Sequence, residues 1–398
     1  MTTTTVGELG YGLFDCDHHM YEPRDSFTRY IEPRLRDQAV RTVMKEGKEI
    51  LMVGDRPMKF VDGYEVYDQV GRPGSLKEML YQMKSGVVNE GDYEWEPPRP
   101  EYHDRDQRIA SLDEQGVEAC LLFPSVAIVV EPLFDDTEQL YANYHAFNRW
   151  LEETWGFAYQ DRIFALPTIS LRDRDKAVEE LEWALSKGVR AISMRPGAVD
   201  GRAPSDPYFD PFWARLNEAS TTVALHLTDS GYNRNVSTQW GEDGDPTNFG
   251  MSAWQWTNCY GDRPIMDTLS AFIFDGLFGA FPNVKVVSVE NGAEWAPYIV
   301  RRMDKMKAMG RNGPWRRGRL DERPSEIWNR HVRVTPFPED DIPSIVKAMG
   351  AESLAMGSDW PHPEGTKLPG DFAELVKSLT ANEQRLILRD NGFDLISN

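Results

Sequence analysis

A (β/α)8 TIM barrel is the fold class this chain predicts, with two long insertions at its C-terminal mouth. Three observations carry the prediction. From residue 104 onward, short apolar strand-like runs alternate with helix-like stretches, with no internal repeat or low-complexity tract. Counted from the N-terminus, the apolar runs number eight, and barrels with insertions reach this chain's 398 residues. Several of the runs end in residues that bind metals or move protons, and such barrels keep their chemistry at the strand C-termini. The expected organisation is one metal-dependent domain over residues 1–398, with residues 24–103 and 228–262 as the insertions.

The elements follow in order. The apolar run 11–14 leads into Asp15-Cys16-Asp17-His18-His19 and reads as the end of strand one. Residues 41–60 read as a hairpin with Gly47 in its turn. The Gly-, Pro- and aromatic-rich stretch 71–100 is too long for an ordinary loop and is expected to pack over the barrel mouth. A helix over 104–116 has acids early and Gly116 as its stop. Strand two is 119–124. The helix 137–157 carries Leu140, Tyr144, Phe147 and Leu151 on one face. Strand three is 163–167, then a helix over 173–187 ends at Gly188. Strand four is 191–195. A helix over 209–218 precedes strand five, 223–226. The stretch 228–262, with Tyr232, Trp240, Trp254, Trp256 and Tyr260, is expected as a lid-like loop. A helix over 264–280 leads to strand six, 284–290. A helix over 293–307 is followed by a basic, tryptophan-containing loop, 311–319. Strand seven is 331–335, helix 340–349 precedes strand eight near 354–359, and a last helix covers 381–391.

Composition narrows the function classes. The formal net charge is −20 and the pI about 4.8, so nucleic-acid phosphates would be repelled. Cys16, Cys120 and Cys259 are scattered without paired spacing, which fits a reducing cytoplasm rather than a disulfide framework. The first residues lack the basic-then-apolar pattern of a signal peptide. No apolar run approaches the roughly 20 residues of a membrane span.

Strand alternation sets Asp15, Asp17 and His19 on one side and Cys16 and His18 on the other. A carboxylate and an imidazole two residues apart on one strand face can grip one metal ion. His226 ends strand five, Glu290 strand six and Asp359 strand eight, while Arg195 and Thr335 end strands four and seven. Two imidazoles with two or three carboxylates suit zinc, manganese or iron. Glu22 lies three residues beyond His19 and reads either as a further ligand or as an acid behind the ligands. Arg195 reads as a bidentate clamp on a substrate carboxylate or as a counter-charge to the acids around it. His362 could orient Asp359 or shuttle protons. Asp229 is a candidate outer partner of His226. His18 reads as structural, and His145 as either a surface residue or one beneath the site. Trp240 and Trp254 read as lid packing. Aromatic insertions predict a bulky apolar or aromatic small-molecule substrate.

The opening motif, the run Phe281-Pro282-Asn283-Val284-Lys285-Val286-Val287 and the run Gly357-Ser358-Asp359-Trp360-Pro361-His362 together resemble the amidohydrolase superfamily. The resemblance is to the amidohydrolase-2 branch, which includes metal-dependent aromatic-acid decarboxylases and related C–C hydrolases, and it covers nearly the whole chain. That family usually carries His-x-His after strand one, His after strand five and Asp after strand eight. Here His19, His226 and Asp359 match, Asp17 stands where the first His would be, and Glu290 stands where a catalytic His often does. The resemblance implies a metal-dependent hydrolase or lyase that hydrolyses or decarboxylates a carboxylate-bearing substrate, with Asp359 as general base. The family often forms dimers, so a homodimer is one of the oligomeric states the resemblance leaves open. Because Arg195 rather than Lys ends strand four, the carbamylated-lysine bridge of the family's two-metal hydrolases is not available there. A second metal would need bridging by Glu290, Asp17 or Glu22. This carboxylate-rich set raises a second expectation, a nonheme di-iron monooxygenase acting on a large apolar substrate. A third, a catalytically dead binding protein, is disfavoured by the intact ligand set.

Overall fold

The structure is a computed structural model that describes residues 9–58, 67–76, 78, 81, 95–247 and 250–397. Its centre is a set of buried parallel strands. Strand β1 (Leu13–Met20) pairs with β7 (Val117–Pro124), and β7 with β8 (Ile163–Ala165). A second parallel sheet runs in the order β12 (Val332–Val334), β11 (Val286–Val289), β10 (Thr222–His226), β9 (Ala191–Met194). Isolated parallel bridges join Thr168 to Ser193, Val334 to Leu354 and His18 to Trp360. Helices connect successive strands, giving an α/β fold.

Local chemistry sets the boundaries of these helices. Asp104, Asp136 and Asp173 each accept a backbone N–H at a helix start, satisfying donors that a helix leaves unpaired. Gly116 ends the helix Arg105–Gln115 in the left-handed conformation, which costs glycine little. On β7, Ala119, Leu121 and Phe123 join one apolar cluster, with Phe14, Phe164, Ala191, Ala224, Val287 and Ala355. Cys120 and Leu122 turn the other way, into the larger core beneath the helices. That period-two division gives strands buried on both faces.

Strand one carries the whole acidic motif, as expected, and ends at Met20. Several other expected elements shift. The stretch expected as strand eight is irregular, joined to its neighbours only by bridges and by bonds such as Ala355 N–H to Val334 O at 3.1 Å and Cys16 N–H to Met356 O at 2.9 Å. The helix expected over 264–280 is two helices, Asp262–Phe274 and Leu277–Ala280, because Gly276 turns left-handed between them. The last helix carries a π-turn at Leu386–Asp390 and continues through Asn391–Ile396.

In the first inserted region, β2 (Val40–Lys45) and β3 (Lys48–Val53) form the expected hairpin, with Glu46 and Gly47 both at positive φ in its turn. Short strands β4 (Arg56–Pro57), beside β3, and β5 (Val70–Gly71) with β6 (Trp95–Glu96) follow. Most of the aromatic stretch expected over 71–100 to cover the mouth lies outside the described residues. The second inserted region holds short helices, Tyr232–Asn235 and Ala253–Asn258, with a 3-10 turn at Ser237–Trp240 between them. Among the described residues no helix is long and apolar enough to cross a membrane.

Gly392 lies against the base of β1, where any Cβ would overlap the Phe14 ring. Gly392→Ala should therefore lower the unfolding free energy by about 1–3 kcal/mol through overpacking, read by urea denaturation. Phe14→Leu in the same chain should recover part of that loss.

Candidate metal centre

The acidic motif does not follow simple alternation. Asp15 is in register with Cys120 and His18 with Leu122, so β1 spends three residues where β7 spends two. This bulge rotates Asp15 away from Asp17 and His19. Asp15 instead bonds His18 Nδ1 at 2.8 Å, and accepts the N–H groups of Asp17 at 3.1 Å and Ser358 at 2.9 Å and the Ser358 hydroxyl. His18, tilted against the Trp360 ring, is structural.

Asp17 and His19 point together at the C-terminal ends of the strands. His19 Nε2 lies 3.1 Å from His226 Nε2, 3.2 Å from Asp17 Oδ1 and 3.5 Å from Asp359 Oδ1. His226 Nε2 lies 3.6 Å from both Asp17 Oδ1 and Glu290 Oε2. His226 Nδ1 donates to Leu227 O at 2.8 Å, which leaves the Nε2 lone pair facing the cluster. Asp17 Oδ1 is buried without a hydrogen-bond partner. Two converging imidazole edges and an unpartnered carboxylate oxygen fit a divalent cation, and Asp17, His19 and His226 offer ligand atoms within 4.8 Å of one another. Two further groups meet the same criterion, His19 with Asp359 and His362, and Glu290 with Asp359 and Glu364.

Glu290 and Asp359 both adopt left-handed backbone, φ +57° and +54°, which non-glycine residues seldom do. Gly357 allows the 357–360 segment to reach β1, since a Cβ there would stand 2.8 Å from Asp17 Cβ and 3.0 Å from Thr335 Cβ. Asp359 N–H then donates to Asp17 O at 2.8 Å. Burial works against charge on Asp17, but the two imidazoles facing it outweigh burial and hold its carboxyl below the ordinary value. Burial pushes Asp359 and Glu290 the other way, well above the ordinary carboxyl range, reinforced by neighbouring carboxylates. Burial lowers the affinity of His19 and His362 for a proton. In the metal-free cluster charge is therefore favoured on Asp17 and disfavoured on Asp359 and Glu290.

The remaining candidates divide. His362 is in the cluster, its Nδ1 2.8 Å from Asp359 Oδ1. Glu22 is not in these ligand groups; its buried carboxylate accepts N–H groups from Ser125, Val126 and Ala127. Arg195 is committed elsewhere, Nε donating to Glu131 Oε1 at 2.7 Å and its other nitrogens to the carbonyls of Ser230 and Ala198. Asp229 does not orient His226, because that ring bonds a backbone carbonyl instead; Asp229 accepts the Gly231 N–H. His145 pairs with Glu180 on the helical layer. Tyr260, from the second insertion, is buried in the electrostatic reach of Glu290 and Glu364. Sequence reasoning missed Glu364, Ser125 and Arg108. Glu364 could have been found as the acid two residues past His362. Arg108 reads as a helix surface residue but is buried, donating to His19 O at 2.8 Å and lying over Trp360.

Comparison with known proteins adds the following. The amidohydrolase family profile matches residues 14–392. A crystal structure of an amidohydrolase from Mycobacterium avium subsp. paratuberculosis K-10 superposes with a TM-score of 0.84 at 34% identity, covering 97% of this chain and 99% of that one. A 5-carboxyvanillate decarboxylase from Novosphingobium aromaticivorans DSM 12444, solved with bound manganese, shares the fold at a TM-score of 0.60 and 15% identity, over 98% of this chain and 99% of that one. The 2-amino-3-carboxymuconate-6-semialdehyde decarboxylase of Dictyostelium discoideum is 21% identical over 244 residues, 59% of this chain and 61% of that protein's length. None of these similarities supports the expected two-iron oxygenase.

A cation that takes Asp359 as a ligand must displace the proton that burial favours there. Mn2+ binding should therefore release protons and tighten as pH rises toward the elevated range of that carboxyl, read by calorimetry in buffers of different ionisation heat. Affinity that is flat with pH, with no proton release, would contradict this electrostatic arrangement.

Proposed function

The chain belongs to the amidohydrolase family, and from that premise we propose that it is a metal-dependent decarboxylase of carboxylated aromatic or similarly conjugated small molecules. The observation that carries the reading is the convergence of His19 Nε2, His226 Nε2 and the unpartnered Asp17 Oδ1 beside Asp359. In this reading Asp17, His19, His226 and Asp359 hold one divalent cation, with manganese the first choice because a decarboxylase of the same fold binds it. The reading takes the seven strands of the two parallel sheets, with the irregular segment 354–360 as the eighth stave, as one barrel, with 24–103 and 228–262 as insertions at its mouth. The isolated bridges between sheet edges support it. The three unpaired, buried thiols support a cytoplasmic location.

When bound, the cation supplies a Lewis acid that polarises a substrate oxygen. The protein's own groups account for the rest. Decarboxylation breaks the bond between carbon and carboxylate, releases CO2 and leaves an electron pair on the carbon, which then needs a proton. Glu290, kept protonated by burial and by the acids beside it, is the donor we assign to that carbon. His362, bonded to Asp359 through Nδ1, holds that carboxylate in line. Phe123, with ring centroids 4.8 Å from His226 and 5.8 Å from His19, and Tyr260 offer apolar area against a flat conjugated substrate. With Glu290 neutral, a substrate carboxylate meets less repulsion than the count of acids suggests. Arg195, tied to Glu131, serves in this reading as a counter-charge rather than a clamp.

The test is CO2 release by the Mn2+-loaded protein over a panel of hydroxylated benzoates and unsaturated semialdehyde acids. Glu290→Gln should keep its metal and lose about 100-fold or more in kcat, whereas His226→Ala should lose the metal. Hydrolysis of esters or amides by the loaded protein, without CO2 from any acid on the panel, would replace decarboxylation with hydrolysis.

A further inference from the structure

Ser125 is the first residue beyond β7, and no motif includes it. We propose that Ser125, anchored by Glu22, is a positioning residue of the metal centre: it fixes the ring of His362, which fixes the Asp359 carboxylate opposite His19. The inference rests on the reading of Asp359 as a metal ligand.

The chain of contacts starts two residues past β1. There the Glu22 carboxylate accepts three successive N–H groups, from Ser125 at 3.2 Å, Val126 at 2.8 Å and Ala127 at 3.0 Å. Three bonds to one buried carboxylate determine the path of the loop after β7 and hold it against the end of β1. No arginine or lysine pairs with Glu22 among the described residues, so these N–H groups are its main compensation for burial.

The anchored loop presents one hydroxyl. Ser125 Oγ donates to Met20 O at 2.7 Å, and the same oxygen lies 2.7 Å from His362 Nε2. A serine hydroxyl has one proton and two lone pairs. With the proton directed at the carbonyl, the oxygen accepts from the imidazole, and the ring is held at its Nε2 edge. The opposite edge, Nδ1, meets Asp359 Oδ1 at 2.8 Å. That is the carboxylate oxygen 3.5 Å from His19 Nε2. The His362 ring also packs on His19, with centroids 4.0 Å apart. An imidazole with partners at both nitrogens and a second ring tilted against one face has little freedom to turn. Through it the end of β7 is coupled to an acid at the far end of the chain. Asp359 needs such support because its left-handed backbone gives it no regular strand neighbour on that side.

The experiment compares wild type, Ser125→Ala, Ser125→Thr and Glu22→Gln as full chains. Mn2+ binding is read by electron paramagnetic resonance, through loss of the free-ion signal and the line shape of the bound ion. Neither readout needs a substrate. Ser125→Ala should fold with an unchanged circular dichroism spectrum, bind Mn2+ about 10–100-fold more weakly and broaden the bound signal. Ser125→Thr, which keeps the hydroxyl, should restore most of both. Glu22→Gln should shift them in the same direction as Ser125→Ala. If that variant fails to fold, the alanine and threonine pair decides. Mn2+ affinity and line shape in Ser125→Ala equal to wild type would overturn the proposal. So would equal loss in Ser125→Ala and Ser125→Thr, which would mark loop packing rather than the hydroxyl. A wild-type chain that binds no Mn2+ overturns this inference together with the ligand reading. One that binds Mn2+ but releases no CO2 overturns only the decarboxylase, and the Ser125 series still decides.

Discussion

The site depends first on Asp15. Its carboxylate takes two backbone N–H groups, one from β1 itself and one from Ser358, together with the Ser358 hydroxyl and the His18 ring. It thereby fastens the irregular 357–360 segment to the first strand. Regular pairing cannot do this, because the segment forms only isolated bridges. With the bonds from Asp359 N–H to Asp17 O and from His19 N–H to Trp360 O, both at 2.8 Å, that clamp sets Asp359 relative to Asp17 and His19. Hydrogen bonds to a buried carboxylate are among the stronger kinds, and the two from Ser358 join the two ends of the chain.

The same clamp explains why the opening motif was only partly legible. Counting by two along a strand assigns Asp15 to the metal side with Asp17 and His19. The bulge breaks that count, and no residue type announces it. What was legible is what residue chemistry carries alone. His19, His226, Glu290 and Asp359 could be picked out because each follows an apolar run, and the structure brings them within reach of one another. Glu22 and Arg195 were equally visible as charged residues near strand ends, but their partners are distant in sequence. Glu22 meets the loop 125–127 and Arg195 meets Glu131, contacts that only the fold creates. Ser125 and Arg108 carry no signal at all, since a serine after a strand and an arginine in a charged helix are ordinary residues.

Charge follows the same division. A net charge of −20 predicts repulsion everywhere, yet the acids of the centre do not all carry charge. Asp17, between two imidazoles, is held ionised, while Asp359 and Glu290 are pushed toward the neutral form by burial and by the carboxylates around them. Like charges this close in a poorly hydrated setting cannot all ionise. The cluster is an unstable place for four carboxylates and a good one for two carboxylates and a divalent cation. A cation that binds only the folded chain also stabilises it, by an amount that grows with the ratio of its concentration to Kd.

That linkage bears on the two left-handed residues. Holding a non-glycine residue at φ near +55° costs on the order of 1–3 kcal/mol, less for Asp than for a bulkier side chain. Among the described residues, positive φ at non-glycine positions otherwise falls at Glu46, Gln160, Asp161, Asp200 and Ser220, outside the metal centre. Glu290 and Asp359 instead sit directly past buried strand ends, and both turn their carboxyls toward the cluster. An extended conformation at either position would send the next side chain, not the acid, over the imidazoles. The backbone cost and the burial of acid are thus the same structural decision. In the proposed reading both are offset when a cation draws Asp17, Asp359 and the two histidines together. The centre is therefore poised for a metal before one arrives, and the fold around it is less stable without one.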